Sequence, residues 1–379
     1  MNKVNKYIFL LITLVSLTAC RVPFTPSPIT AATNYLVVEG LINITDSTYI
    51  NLSRTVTVAS KSTVKPELKA AIIIQSSLGS SYPLKELGNG IYAAEPLSLS
   101  AANQYRLMIK TANGNTYASD FVQAKIAPPI DTVTTQLQVD GVHIAVNAHD
   151  SQDNTRYYRW DYKETWEFNS FFTSLYSFNG LAIIPRTSAN EINHCWGNFN
   201  SATILLASTA NLSQDVISNN PITYVESSSE KLEIRYSILV KQYALTKDGY
   251  DYWTMLKKNT EQLGSIFDSQ PTASIGNLHN VNNQAEPVIG FISAGTVSQT
   301  RIYIDHTTLP KNYFQDYLNT ALYTQYTCVK AVVKTAEYNA YYNISNPILI
   351  PVDANTGATP LCVDCTIRGS NIQPSFWKY

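Results

Sequence analysis

The side chains with most chemistry to offer in this 379-residue chain are its five cysteines and five histidines. Cys20 stands near the start, and Cys195, Cys328, Cys362 and Cys365 follow far downstream. Four such thiols can close two disulfides in any of three connectivities. Cys362 and Cys365, spaced as CVDC, could instead form a redox pair, or half of a zinc site with His194 and Cys195. A redox CxxC belongs at the start of a helix, where the dipole lowers the thiol pKa. Here the pair lies in "NTGATPLCVDCTIRGSN", with turn residues on either side. Structural disulfides that pin the C-terminal tail are therefore the expectation, as for any exported chain.

The histidines form no constellation. His143 and His149 share one strand face, but six residues of strand span about 20 Å, too far to share a metal or a proton. Asp305 and His306 are adjacent, so a strand would point them to opposite faces. There is no GxSxG elbow, HExxH pair, P-loop or GxGxxG. The reading predicts no catalytic residue, no metal site and no cofactor.

Cys20 has a different context. Lys3 and Lys6 precede the apolar run "YIFLLITLVSL", and Leu17-Thr18-Ala19-Cys20 closes it. The run is shorter than the roughly 20 residues that span a bilayer, so residues 1–19 read as a signal peptide. A cysteine directly after small residues has the pattern of a bacterial lipobox, with Cys20 as the lipidated N-terminus and membrane anchor. Residues 20–33 carry Pro23, Pro26 and Pro28 and read as an extended tether of up to roughly 40 Å.

The elements that must position any site are strands. Hydrophobic residues make up 45% of the chain and charged ones only 15%, and 25 tyrosines far outnumber three methionines. That mixture suits pleated sheet. A net charge of −1 with no basic run excludes nucleic acid as a partner. Six or seven short strands between 34 and 127, with an Asn113-Gly114 hairpin signal, predict an immunoglobulin-like β-sandwich. Pro128-Pro129 marks a boundary. Residues 128–379 then read as a larger, fibronectin type III-like β-sandwich with one inserted helix over about 247–263 and a cysteine-containing tail. Thr246 or Asp248 could cap that helix, Trp253, Leu256 and Leu263 share one face, and Gly264 ends it. "PVIGFISAG" and "TRIYIDH" read as a hairpin.

In "RYYRWDYKETWEF", Tyr158, Trp160, Tyr162, Trp166 and Phe168 alternate with Tyr157, Arg159, Asp161, Lys163, Thr165 and Glu167. The rings are expected on the core face of a strand and the charges on a solvated one. Residues 169–230 lose this regularity and read as an irregular excursion. Phe171, Phe172 and Tyr176 there, with Phe376 and Trp377 at the C-terminus, fit no core period and are the expected partner surface.

"YLVVEGLIN", "NTRYYRWDYKETWEF", Cys195-Trp196, "YSILVKQYALTKDGYDYWTMLKKNTEQLGSIFDSQP", "VIGFISAG" and "CVDCTIRGSNIQPSFW" run in order across the mature chain. Together they resemble the Bacteroidota lipoprotein family labelled domain of unknown function 4249. The resemblance implies a non-enzymatic accessory or binding lipoprotein of the outer membrane, associated with a TonB-dependent transporter, with the small-molecule or glycan ligand unspecified. The alternative is a cell-envelope hydrolase whose site is assembled from scattered residues. Surface-exported lipoproteins of that phylum carry acidic residues after the lipid cysteine. Arg21-Val22-Pro23-Phe24 departs from this and implies the periplasmic face.

Overall fold

The computed structural model describes residues 34–56, 65–261, 276–311, 313 and 328–378. Cys20, the signal sequence, the tether and the expected helix end at Leu263-Gly264 lie outside them. The protein is mainly β, with one long helix, Lys247–Glu261.

In the N-terminal part, Leu36–Asn43 pairs antiparallel with Thr48–Arg54, and that strand with Ile91–Ala94. Ala71–Ser76 pairs with Gln104–Lys110, which also borders Thr116–Ser119 and Val122–Lys125. Alternate residues point inward, so Ile50, Leu52, Ile72, Ile74, Leu107 and Ile109 are all buried in one core. The Asn113-Gly114 turn forms, with Gly114 at φ +90°.

This unit is completed from far downstream. Leu278–Asn280 pairs with Thr116–Ser119, and Ser293–Gly295 runs parallel to both Leu36–Asn43 and Val122–Lys125. The expected hairpin between "PVIGFISAG" and "TRIYIDH" therefore does not form, since Val297–Asp305 pairs instead with Arg235–Ala244. Both runs have strand character, but the chain between them changes sheets rather than doubling back. Asn277 clamps the returning segment by donating to the Ile292 carbonyl (2.9 Å) and accepting from its amide (2.8 Å). Glu286 ties it to the unit by accepting from the Tyr117 hydroxyl at 2.9 Å. Gly290 lets it pass: a Cβ there, at φ +139°, would lie 2.1 Å from the Val38 carbonyl oxygen.

The second unit shares one core between two sheets. Ile130–Gln138, Gly141–His149 and Val216–Glu226 form the first sheet. Tyr157–Asn169, Arg235–Ala244 and Val297–Asp305 form the second, with His194–Asn200 and Leu205–Ser208 flanking Tyr157–Asn169. Val142, Ile144 and Val146 from one meet Tyr158, Trp160, Ile238 and Val240 from the other. The ring face is core as expected: Tyr158, Trp160 and Phe168 are fully buried, Tyr162 nearly so, and Trp166 half-buried.

The irregular excursion is a correction. Residues 169–230 supply three of the unit's strands, including Val216–Glu226 of the first sheet. Their pattern is hidden because "VISNNPITYVE" has Asn219 at φ +48° and a proline at 221. The pairing with Gly141–His149 shifts register twice around these residues, so period-two alternation is lost.

Candidate functional site

Arg159 and Asp161 leave the strand Tyr157–Asn169 on the side opposite the buried rings. Their cross-strand neighbours are Tyr243 and Lys241, and beyond those lie Val297 and Gln299. This polar face forms one wall of a cleft of about 670 Å³. The N-terminal unit contributes Glu39, Gly40, Asp46 and Tyr49, the returning segment contributes Ile289 to Phe291, and the helix contributes Tyr252, Trp253 and Leu256. The size falls within the usual range for small-molecule sites, and the junction of two units is a usual place for one.

Local sequence explains how the helix closes the cleft. Thr246 caps it, its hydroxyl accepting from the Gly249 amide at 3.2 Å. Gly249 and Tyr252 are its buried residues, and Tyr252 packs on Phe291 with ring centroids 5.4 Å apart. Trp253 and Leu256, expected on one face of the helix, are half-buried and line the cleft. The Arg159 guanidinium lies 4.1 Å from the Tyr243 ring centroid and 4.6 Å from that of Trp253. Its pair with Asp161 is long, at 3.6 Å. Burial raises the Tyr243 phenol above its ordinary value, and Asp161 adds to the shift. Burial lowers the Lys241 ammonium, with Asp161 acting in the opposite direction. The Lys241 ammonium makes no hydrogen bond or salt bridge among the described residues.

The cysteines lie elsewhere, in two disulfides: Cys195–Cys365 and Cys328–Cys362. CVDC thus staples the tail at two points, as expected, and all four thiols are used. Beneath the staple, the buried Glu167 carboxylate meets the His194 ring at 2.7 Å and accepts from the Trp377 indole at 3.2 Å. Glu233 is largely buried close by and accepts from the Asn169 amide at 3.2 Å. Burial pushes its carboxyl up to about 7.

The expected partner surface is mostly consumed by this packing. Trp377 is 5% exposed and cannot offer its ring, because the indole nitrogen has a buried carboxylate partner. Phe171 and Phe172 pack against the cluster around Cys328 and Cys362. Tyr176 is half-buried in a short hairpin, Tyr176–Phe178 with Ile183–Pro185. Phe376 is the most exposed of the five, at 37%, and lies 3.7 Å from the Arg301 guanidinium. His143 and His149 pair separately with Asp140 and Asp131. Among the described residues no three His, Cys, Asp or Glu side chains are grouped to hold a metal ion. Nor is any helix among them long and apolar enough to cross a membrane.

Sequence reading treats Arg159 and Asp161 as a solvated face and gives Lys241 and Tyr243 no role. The available signal is the same polar, aromatic alternation in "RYYRWDY" and "LVKQYAL". Only the strand pairing shows that the two polar faces coincide.

The model of the family described as "Domain of unknown function (DUF4249)" matches residues 21–301. No curated protein matches the chain. Among solved structures, the adhesin InvE of Yersinia pseudotuberculosis is 14% identical with a TM-score of 0.16, over 56% of this chain and 55% of that one. The chitinase ChiA74 of Bacillus thuringiensis is 11% identical with a TM-score of 0.14, over 52% of this chain and 29% of that one. The chain thus spans about half of the adhesin and under a third of the chitinase, and neither likeness carries a functional argument.

Proposed function

The chain belongs to the DUF4249 family, and we propose that it is a non-enzymatic binding module of the cell envelope whose site is the cleft between its two β units. The observation that carries this reading is the lining itself. Aromatic and aliphatic surface from the helix and returning segment meets a few convergent charges, the composition of a site that binds and orients.

Lipid on Cys20 holds the protein to the outer membrane, and Arg21-Val22-Pro23-Phe24, with no acidic residue after the lipid cysteine, supports the periplasmic face. The bound molecule passes to or from a TonB-dependent transporter. Phe376, with Leu181 (91% exposed) and Ile184 on the hairpin, is available to dock that partner. In this reading the two β units are sandwiches of the immunoglobulin-like and fibronectin type III-like kinds. The lipobox pattern and the family resemblance support the anchor and the partner.

The test is isolation of the lipidated protein from detergent-solubilised outer membrane, followed by identification of what accompanies it. A TonB-dependent transporter recovered in stoichiometric amount supports the association. A monomeric protein lacking any such companion under mild detergent refutes it.

A further inference from the structure

The cleft contains a cation with no close partner: Asp161 and Asp46 act on Lys241 only from beyond salt-bridge distance. Lys241 lines it and lies half-buried, and its ammonium makes no hydrogen bond or salt bridge among the described residues. An ammonium withdrawn from water with only distant compensation is costly, and native structures generally provide a close counter-charge. Asp161, directly across the strand pair, is the nearest candidate, but its carboxylate already approaches Arg159 at 3.6 Å. Arg159 itself has five donors in a planar fork, and its contacts with Asp161 and the Tyr243 hydroxyl still leave donors for a further acceptor. Trp253 and Phe291 line the same cleft and offer a face for something flat or apolar.

From this lining we infer that the cleft binds a small monoanion with a planar or apolar body, its acidic group paired with Lys241 and Arg159 and its body packed on Trp253 and Phe291. The inference rests on the cleft being the binding site. Glu39, Asp46 and Asp161 also line it, so a multiply charged anion such as a phosphate monoester would meet three carboxylates and be disfavoured. A single carboxylate gains two charge-assisted hydrogen-bond donors and, with about half the charge of a phosphate monoester, meets about half of that repulsion.

Isothermal titration of the full chain with four indole probes tests this. Indole-3-propionate carries body and monoanion, indole only the body, tryptamine the body with a cation, and indole-3-glycerol phosphate the body with a phosphate. The expected result is one site for indole-3-propionate, bound about 10-fold or more tighter than each of the other three. Lys241→Gln should remove that preference, and Lys241→Arg should retain it, with thermal unfolding confirming that both variants fold. Equal affinity for indole and indole-3-propionate, tighter binding of the phosphate, or an unchanged preference in Lys241→Gln, overturns the proposal. If no probe binds while the wild type still retains an envelope small molecule that Trp253→Ala releases, the anion assignment falls and the binding reading stands. If neither occurs, both fall.

Discussion

Replacing Glu233 by glutamine should stabilise the protein, and only above mildly acidic pH. Glu233 accepts from the backbone amide and the side chain of Asn169, yet burial outweighs both and pushes its carboxyl from an ordinary 4.5 up to about 7. The folded state therefore binds more protons than the unfolded state between those values. By linkage, stability falls as pH rises through that window; the penalty is absent below 4.5 and fully present above 7. A shift of this size corresponds to about 3 kcal/mol, and residual solvent access to the side chain reduces it to about 1–2 kcal/mol. Glutamine keeps the carbonyl acceptor for Asn169 and removes the charge. Urea unfolding of both proteins with disulfides intact, at pH 4, 6 and 8, measures the difference. The two should coincide at pH 4, and the variant should gain about 1–2 kcal/mol at pH 8. A constant difference across all three pH values would refute the burial argument.

Trp160→Ala should destabilise by about 3–5 kcal/mol in chemical unfolding, since it empties a fully buried site and leaves the Gln242 side-chain Oε1 without its 2.9 Å donor. Peptide mapping without reduction should recover Cys195 linked to Cys365 and Cys328 linked to Cys362, and no Cys362–Cys365 loop. Opening either disulfide by paired serine substitution should cost about 2–4 kcal/mol. Mass spectrometry of the native protein should find Cys20 as a lipid-modified N-terminus, and Cys20→Ala should release the protein from the membrane fraction.

How much the sequence disclosed depended on whether the deciding contact was local. The ring face of Tyr157–Asn169 was legible because period-two alternation is a property of one strand. The Thr246 cap and the Asn113-Gly114 turn were legible for the same reason. Val216–Glu226 was not, because Asn219 and Pro221 break the alternation and the strand bulges twice around them against a regular partner. The return of Ser293–Gly295 to the N-terminal sheet was also hidden. Its partners are about 170 and 250 residues away, and no local pattern distinguishes a parallel insertion from a hairpin arm. The cleft inherits that difficulty. Arg159, Lys241 and Trp253 come from separate elements, and Phe291 reaches them only because the segment around Gly290 threads beside Val38. Trp377 misled for the converse reason: a ring in an aperiodic tail looks unassigned until its distant partner, Glu167, is known.

The central claim is that the cleft binds without reacting, and one experiment addresses both halves. Purified protein at high concentration is mixed with the small-molecule fraction of an envelope extract and separated from unbound material. The retained compounds are then compared by mass with the starting extract, for the wild type and for Trp253→Ala. The account predicts a compound held by the wild type, lost from the variant, and recovered with its mass unchanged. Equal retention by both proteins, or recovery of a cleaved or modified product, would contradict it.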